Sequence, residues 1–190
     1  MKLETRRLLL RNPRRKDVRD LVEGLNDIQI SESLGFIPHP YTERNAREWI
    51  EKNSSQRGIK RKKEYNFAIE LKSEKKLVGV VLLDSVDYFH GSARIGYWVN
   101  KNYWGQGIVT EANRKVLDFA FNKLNLRRVH LGAYVGSEAS NRVAKKLGFT
   151  LEGTLRQSHR TKATGKIHDT NTYGLLREEF YHQRKSKTKN

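Results

Sequence analysis

The chain has 190 residues, with 38 Lys and Arg against 21 Asp and Glu, a formal net charge of +17 and no cysteine. That length suits one domain, and the lack of cysteine excludes a disulfide framework, a thiolate zinc site and a cysteine nucleophile. No run approaches the roughly 20 apolar residues of a membrane-spanning helix. The charge-punctuated start MKLETRRLLLRN has no small-residue cleavage site, so a cytoplasmic protein is expected. The basic excess attracts anions such as RNA, phosphate-rich cofactors or acidic protein segments. Residues 1–100 carry 20 basic and 14 acidic side chains and residues 101–190 carry 18 and 7, so the second half is the stronger anion attractor.

In chain order, TRRLLLR (5–11) predicts a strand, and Val18, Leu21, Val22 and Leu25 share one helix face. Residues 28–41, with Pro38 and Pro40, predict irregular chain. Thr42 is a good N-cap for a helix with Ala46, Trp49 and Ile50 inward. The basic run 58–63 reads as a solvated loop. YNFAIEL (65–71) alternates like a half-buried strand, KLVGVVLL (76–83) is apolar enough for a central one, and ARIGYWVN (93–100) is a third. An amphipathic helix begins near Ile108 within GQGIVTEANRKVLDFAFNKL (105–124). A strand follows at 127–135, then a helix at 137–149 closed by Gly148. Strands at 149–158 and 168–176, joined at TKATGK, lead to a short polar end. This order predicts an α/β fold, a mixed sheet with helices on its faces. A single domain is expected over 1–183, with a basic, disordered tail over 184–190.

The most informative stretch is GYWVNKNYWGQGIVTEA (96–112): strand, glycine-rich turn, helix. A helix's first N–H groups lack intrahelical partners and its dipole is positive there, while Gly105 and Gly107 let backbone approach an anion. That arrangement suits a phosphate or pyrophosphate; spacing alone leaves open that these are only turn glycines. No Walker string exists, and Thr110 stands where GxGxxG requires glycine.

Further segments lie in order between residues 6 and 180: RRLLLR (6–11) followed by Asp17, LVGVVLL (77–83), IGYWV (95–99), YWGQGIVTEA (103–112), SNRVAKKLGFTLEGTLRQ (140–157) and HDTNTYGLLREEF (168–180). Together they resemble the GNAT superfamily of acetyl-CoA-dependent N-acetyltransferases, and within it the RimJ/RimL-type ribosomal-protein N-terminal acetyltransferases. The resemblance implies the GNAT acyl-CoA N-acyltransferase fold and acetyl-CoA as co-substrate; with no HExxH spacing and no further ligands near His168-Asp169, no metal is expected. The superfamily's Gln/Arg-x-x-Gly-x-Gly/Ala motif falls on residues 104–109. Gly107 matches it, whereas Trp104 and Val109 depart, and Val109 adds bulk near the phosphates. Gly105, Gln106, Gly107, Ile108, Val109 and Thr110 are thereby implied to cradle the pyrophosphate. Val99 would bind the pantetheine through its backbone, and Trp98 or Val99 would offer an oxyanion-stabilising N–H.

Relatives open the next helix with Asn-x-x-Ser, where this chain has Ser137 to Ser140. Ser137 would either touch the pantetheine or simply cap the helix, and Asn141, on the same face, is the alternative contact. Ser140 matches the motif's Ser and is the candidate acid for the leaving thiolate; the plainer reading is a surface Ser. His159 is the candidate base, against a solvated surface His. Glu111 reads as structural, and Asp169 as orienting an amine or pairing with an Arg. Trp49 and Tyr41 line either the acceptor cleft or the core. An α-amine, with a pKa of about 8, asks less of a base than a lysine at about 10.4. The implied acceptor is therefore a peptide N-terminus, of a ribosomal or other protein. A small amine is the alternative, and an RNA-binding module without catalysis a third reading. The basic surface suits weak association with RNA or the ribosome.

Overall fold

The computed structural model describes residues 1–54 and 63–187. The basic run at 58–63 lies outside them except for Lys63. Eight strands form one sheet: β1 (Lys2–Glu4), β2 (Leu8–Arg11), β3 (Tyr65–Leu71), β4 (Lys76–Asp87), β5 (Ser92–Val99), β6 (Arg128–Tyr134), β7 (Thr150–Arg160) and β8 (Ile167–Leu176). Their spatial order is β1-β2-β3-β4-β5-β6-β8-β7. Every neighbouring pair is antiparallel except β5 and β6. One face carries α1 (Val18–Leu25), α2 (Ile28–Ser33) and α3 (Glu43–Ser54). The other carries α4 (Ile108–Asn122), α5 (Glu138–Leu147) and α6 (Arg177–Lys187).

Two apolar clusters follow from this layering. Phe67, Ile69, Val81 and Ile95 pack under α4 and α5, while Ala68, Leu77 and Val80 pack under α1 and α3. β3 is therefore covered on both faces from Asn66 to Glu70, not half-buried as its alternation suggested. The segment 28–41 is not irregular throughout: the Asp27 carboxylate accepts from the Gln29 and Ile30 amides, and that cap starts α2. Residues 177–187 are likewise helical. α6 sinks Phe180 into the core against Phe121, ring centres 5.3 Å apart, and its backbone continues to Lys187, past the expected start of a tail at 184. Gly148, at φ 84°, ends α5 as the sequence implies. Tyr41 and Ile50 are buried in the second cluster with Trp49 packed on it, so Tyr41 and Trp49 serve the core. Among the described residues no helix is long and apolar enough to cross a membrane.

The start of α1 is pinned by a buried charge cluster. Arg11, 1% exposed, donates to both Asp17 oxygens at 2.7 Å and from Nε to Glu70 at 2.7 Å. Removing one member of such a cluster strands the rest without water, a cost of about 3–5 kcal/mol. We expect Arg11→Met to lower the unfolding free energy by about that much in urea titrations; a loss under 1 kcal/mol would mean that the cluster is effectively solvated.

Candidate functional site

The site begins where the sheet opens. β5 pairs with β6 only over Ser92–Arg94 and Arg128–His130, yet β5 stays paired to β4 up to Val99 and β6 to β8 up to Tyr134. Each strand is thus held by its antiparallel neighbour while the two part from one another, leaving a wedge-shaped gap. The Asn100 amide donates to Val78 O at 2.8 Å, which makes Val78 and Asn100 a hydrogen-bonded pair. Antiparallel alternation then turns the peptide groups of Val99 and Tyr97 away from β4, into the gap, and those of Trp98 towards β4. Consistently, Trp98 O lies 2.3 Å from where a Gly79 Cβ would stand. Trp98 therefore cannot offer its N–H to the gap, and its indole packs on Gly24 of α1. That corrects the expectation for Trp98. The Val99 N–H does face the gap. The Val99 carbonyl is already engaged: it accepts from Trp104 Nε1 at 2.8 Å, so Trp104 is tied to the strand it follows.

The mouth of α4 lies beside the open end of β5. Gly107 is the N-cap at φ 73°, a left-handed backbone that favours glycine, and the first helical bond runs from the Glu111 amide to Gly107 O. The amides of Ile108, Val109 and Thr110 consequently have no helical acceptor. Gly105, at φ 75°, and Gly107 would meet little if given a Cβ: nothing within 4 Å at Gly105, and only Arg7 Nη2 at 3.8 Å at Gly107. The loop is open on its outer side. Val109 is half-buried against the main core, so its bulk is directed inward, contrary to the expectation of crowding at the phosphates. The Gln106 side chain folds back to Asn102 O at 3.2 Å, leaving its main chain as the contact surface.

Arg7, which sequence reasoning passed over, braces this loop from behind. Its Nη1 donates to Gln106 O at 3.1 Å and its Nε to Glu111 at 2.7 Å, and Glu111 also accepts from Thr5 Oγ1 at 2.5 Å. Glu111 is structural, as expected, locking the β1–β2 hairpin to the first turn of α4. Burial works to raise its pKa, but the hydrogen bonds from Thr5 and Arg7 outweigh that and hold it below the ordinary 4.5.

On the same face, the first turn of α5 lies over the gap. The Tyr97 hydroxyl reaches Ser140 Oγ at 3.0 Å and Ser140 O at 3.3 Å. Ser140 is thus no solvated surface Ser. Asn141 donates to Tyr134 O at 2.9 Å and Ser137 O at 2.8 Å, while its oxygen accepts from Asn171 at 3.0 Å and Tyr173 at 2.7 Å. Both ends of that amide are spent on β6, β8 and its own helix, so Asn141 is no substitute cofactor ligand. It fixes where α5 begins. The Ser137 side chain makes no capping bond, which removes the plain N-cap reading and leaves its hydroxyl unspent on the helix.

His159 stands elsewhere. It pairs across the β7–β8 ladder with His168, its Nδ1 lies 3.2 Å from Thr170 Oγ1, and its ring is 6.1 Å from that of Tyr134. Tyr134 stacks on His168 at 4.4 Å, and a Cβ on Gly35, just after α2, would fall 2.5 Å from the Tyr134 hydroxyl. This cluster is therefore on the α1–α3 face, opposite Ser140. Glu32 of α2 reaches Lys166 at 2.9 Å and lies 3.8 Å from His168 Nε2. Asp169 accepts from the Gln157 amide at 2.7 Å, fixing the β7 bulge where Gln157 takes φ 48°. Among the described residues no three His, Asp or Glu side chains converge as a metal site would need.

A carboxylate whose pKa is depressed on folding stabilises the fold above its unfolded pKa, and that contribution disappears as pH falls through the folded value. Wild type should therefore be more stable than Glu111→Gln at pH 7, with the difference closing below pH 4.5 in denaturation titrations. Equal stability at pH 7 would contradict the brace.

Comparison with known proteins agrees with this geometry. Residues 7–150 match the family model described as acetyltransferase (GNAT) domain. The chain is 39% identical over 104 residues to a putative ribosomal N-acetyltransferase, YdaF, of Bacillus subtilis, covering 55% of this chain and 56% of that protein. It thus spans little over half of that relative's length. It is 29% identical over 135 residues to the ribosomal-protein-serine acetyltransferase of Escherichia coli, 70% of this chain and 72% of that one. A crystal structure described as a probable acetyltransferase superposes with a TM-score of 0.82 at 29% identity, covering 94% of this chain and 98% of the other. The family model spans residues 7–150 and so takes in the parted strand pair and the glycine-opened mouth of α4: the chain belongs to the GNAT family of N-acetyltransferases.

Proposed function

We propose that this protein is a cytoplasmic enzyme of the RimJ/RimL type that moves an acetyl group from acetyl-CoA to a peptide α-amine. The observation that carries this reading is the continuity of two features: the amides of Ile108, Val109 and Thr110, which have no helical acceptor, and the parting of β5 from β6 beside them. A diphosphate suits the first, being anionic and multiply accepting. An extended arm carrying amides suits the second, where the Val99 N–H and the Tyr97 peptide group face the gap. Acetyl-CoA supplies an activated thioester at the end of such an arm. With the arm in the gap, the Val99 N–H stands ready to stabilise the negative charge that develops on a carbonyl oxygen.

The two faces divide the remaining work. Ser140, on the α5 side, serves the departing sulfur with its hydroxyl hydrogen. His159, Tyr134, His168 and Glu32 occupy the opposite face, so an amine approaching there meets the thioester from the far side, with His159 as base. The acceptor enters on this face, beside the β7–β8 hairpin that Lys166 and Lys162 tie to Glu32 and Gly35. A protein N-terminus fits a chain whose relatives include acetyltransferases named for ribosomal substrates, and a net charge of +17 favours an acidic acceptor segment over a polyamine.

Gly107→Glu and Gly107→Gln impose the same backbone strain at φ 73° and differ only in charge. Calorimetry should find acetyl-CoA binding lost in the Glu variant and only weakened in the Gln variant; equal affinities would remove the diphosphate from this turn. For the acceptor, an acetylation assay over a peptide library with varied first residues should show turnover on α-amines above that on amino-sugar and polyamine controls. Turnover confined to the small amines would instead establish the small-amine reading.

A further inference from the structure

Tyr97 is not among the sequence-derived site residues, yet its hydroxyl links the gap in the sheet to the candidate acid. It lies on β5 past the last β5–β6 pair, with its side chain on the α4–α5 face, and its ring is packed against the main core. Its hydroxyl lies 3.0 Å from Ser140 Oγ, a contact in which either oxygen can be the donor, and 3.3 Å from Ser140 O. With the phenol hydrogen on the nearer oxygen, Ser140 Oγ is the acceptor. A hydroxyl that accepts one hydrogen bond still has its own hydrogen to place. At Ser140, on the first turn of α5 over the gap, that leaves the Oγ hydrogen free to turn towards the gap.

We propose that Tyr97 is a positioning residue for the acetyl transfer: by donating to Ser140 Oγ it orients the Ser140 hydrogen towards the leaving sulfur. This rests on the proposed role of Ser140. In the step itself the amine nitrogen bonds to the thioester carbonyl carbon, the C–S bond breaks and its electron pair goes to sulfur. The Ser140 hydrogen passes to that sulfur and the surplus proton of the amine goes to His159; exchange with solvent then restores both residues, so the net transfer is one proton from amine to thiol. Tyr97 changes neither bonds nor charge. It acts only on the rotor of Ser140. The surroundings favour that static part: burial pushes the Tyr97 phenol up to about 12, so it stays a hydrogen donor across neutral pH. The placement of Ser140 is independently secured, since Asn141 ties the same turn to β6 and β8.

The test is a double-mutant cycle on kcat, with the acetyl-CoA Kd and melting temperature measured for each variant. Ser140→Ala should lower kcat by about 100-fold, the scale of one lost general acid. Tyr97→Phe should lower kcat about tenfold, one hydrogen bond's worth, with Kd within twofold of wild type. In the Ser140→Ala background, Tyr97→Phe should have no further effect on kcat. A further tenfold loss there would overturn the proposal, because Tyr97 would then act without Ser140. A wild-type rate for Ser140→Ala would instead remove the acid role, and the orienting role with it. Should Tyr97→Phe fold poorly, 2,3-difluorotyrosine at position 97 keeps the ring and hydroxyl but ionises at lower pH. The alkaline fall in kcat should then move to lower pH in the Ser140 enzyme and not in Ser140→Ala. Tyr173, the other phenol facing Tyr97, is unchanged in both and cannot produce that difference. An unmoved alkaline limb would contradict the orienting role.

Discussion

Peptide groups inside a sheet are held by their neighbours, and a strand between two others normally spends its N–H and C=O groups on both sides. β5 and β6 break that pattern over half their length. Each keeps a full antiparallel ladder on its outer side, so parting costs only the weaker parallel pairing between them. The Tyr97 peptide group and the Val99 N–H that face the gap suit a ligand that is itself extended and amide-bearing. The other features of the site are arranged around that gap. α4 starts beside the open end of β5 with three bare amides, and α5 starts above the gap with Ser140.

Bracing explains how so open a feature is kept in place. Glu111 and Arg7 fasten the α4 mouth to the β1–β2 hairpin from behind, leaving the outward amides untouched. Asn141 fastens the α5 mouth to β6 and β8, and Trp104 fastens the loop to Val99. On the opposite face Glu32 and the Gly35 carbonyl meet Lys166 and the Lys162 amide of the β7–β8 turn, joining the two halves of the parted sheet above the gap. These polar contacts are pre-organised before any ligand arrives, which is where electrostatic catalysis gains most.

Much of this was legible in the amino-acid order, because periodicity reports burial and glycine reports backbone. The long helix and its Gly107 start, the apolar β4, the cap at Gly148 and the opposite faces of Tyr97 and Trp98 all follow from local pattern. What failed was mostly non-local. Phe180 anchoring α6 depends on Phe121, far along the chain, whereas the Asp27 cap of α2 is a local signal, formed with residues two and three positions on. Asn141 looked like a cofactor ligand because helix spacing puts it on the right face; that Tyr173 and Asn171 already saturate it depends on β8. Trp98 and Val99 looked equivalent until strand pairing showed which peptide group faces the gap. Tyr97 had a readable signal, its alternation with Trp98, but its partner lies 43 residues away.

The central claim is one of placement, and a crystal structure of this chain with coenzyme A tests it directly. The account predicts diphosphate oxygens within hydrogen-bond distance of the Ile108, Val109 and Thr110 amides, and the pantetheine lying between β5 and β6 against the Val99 N–H. A coenzyme bound elsewhere, or strands closed into a continuous parallel ladder beneath it, would contradict it.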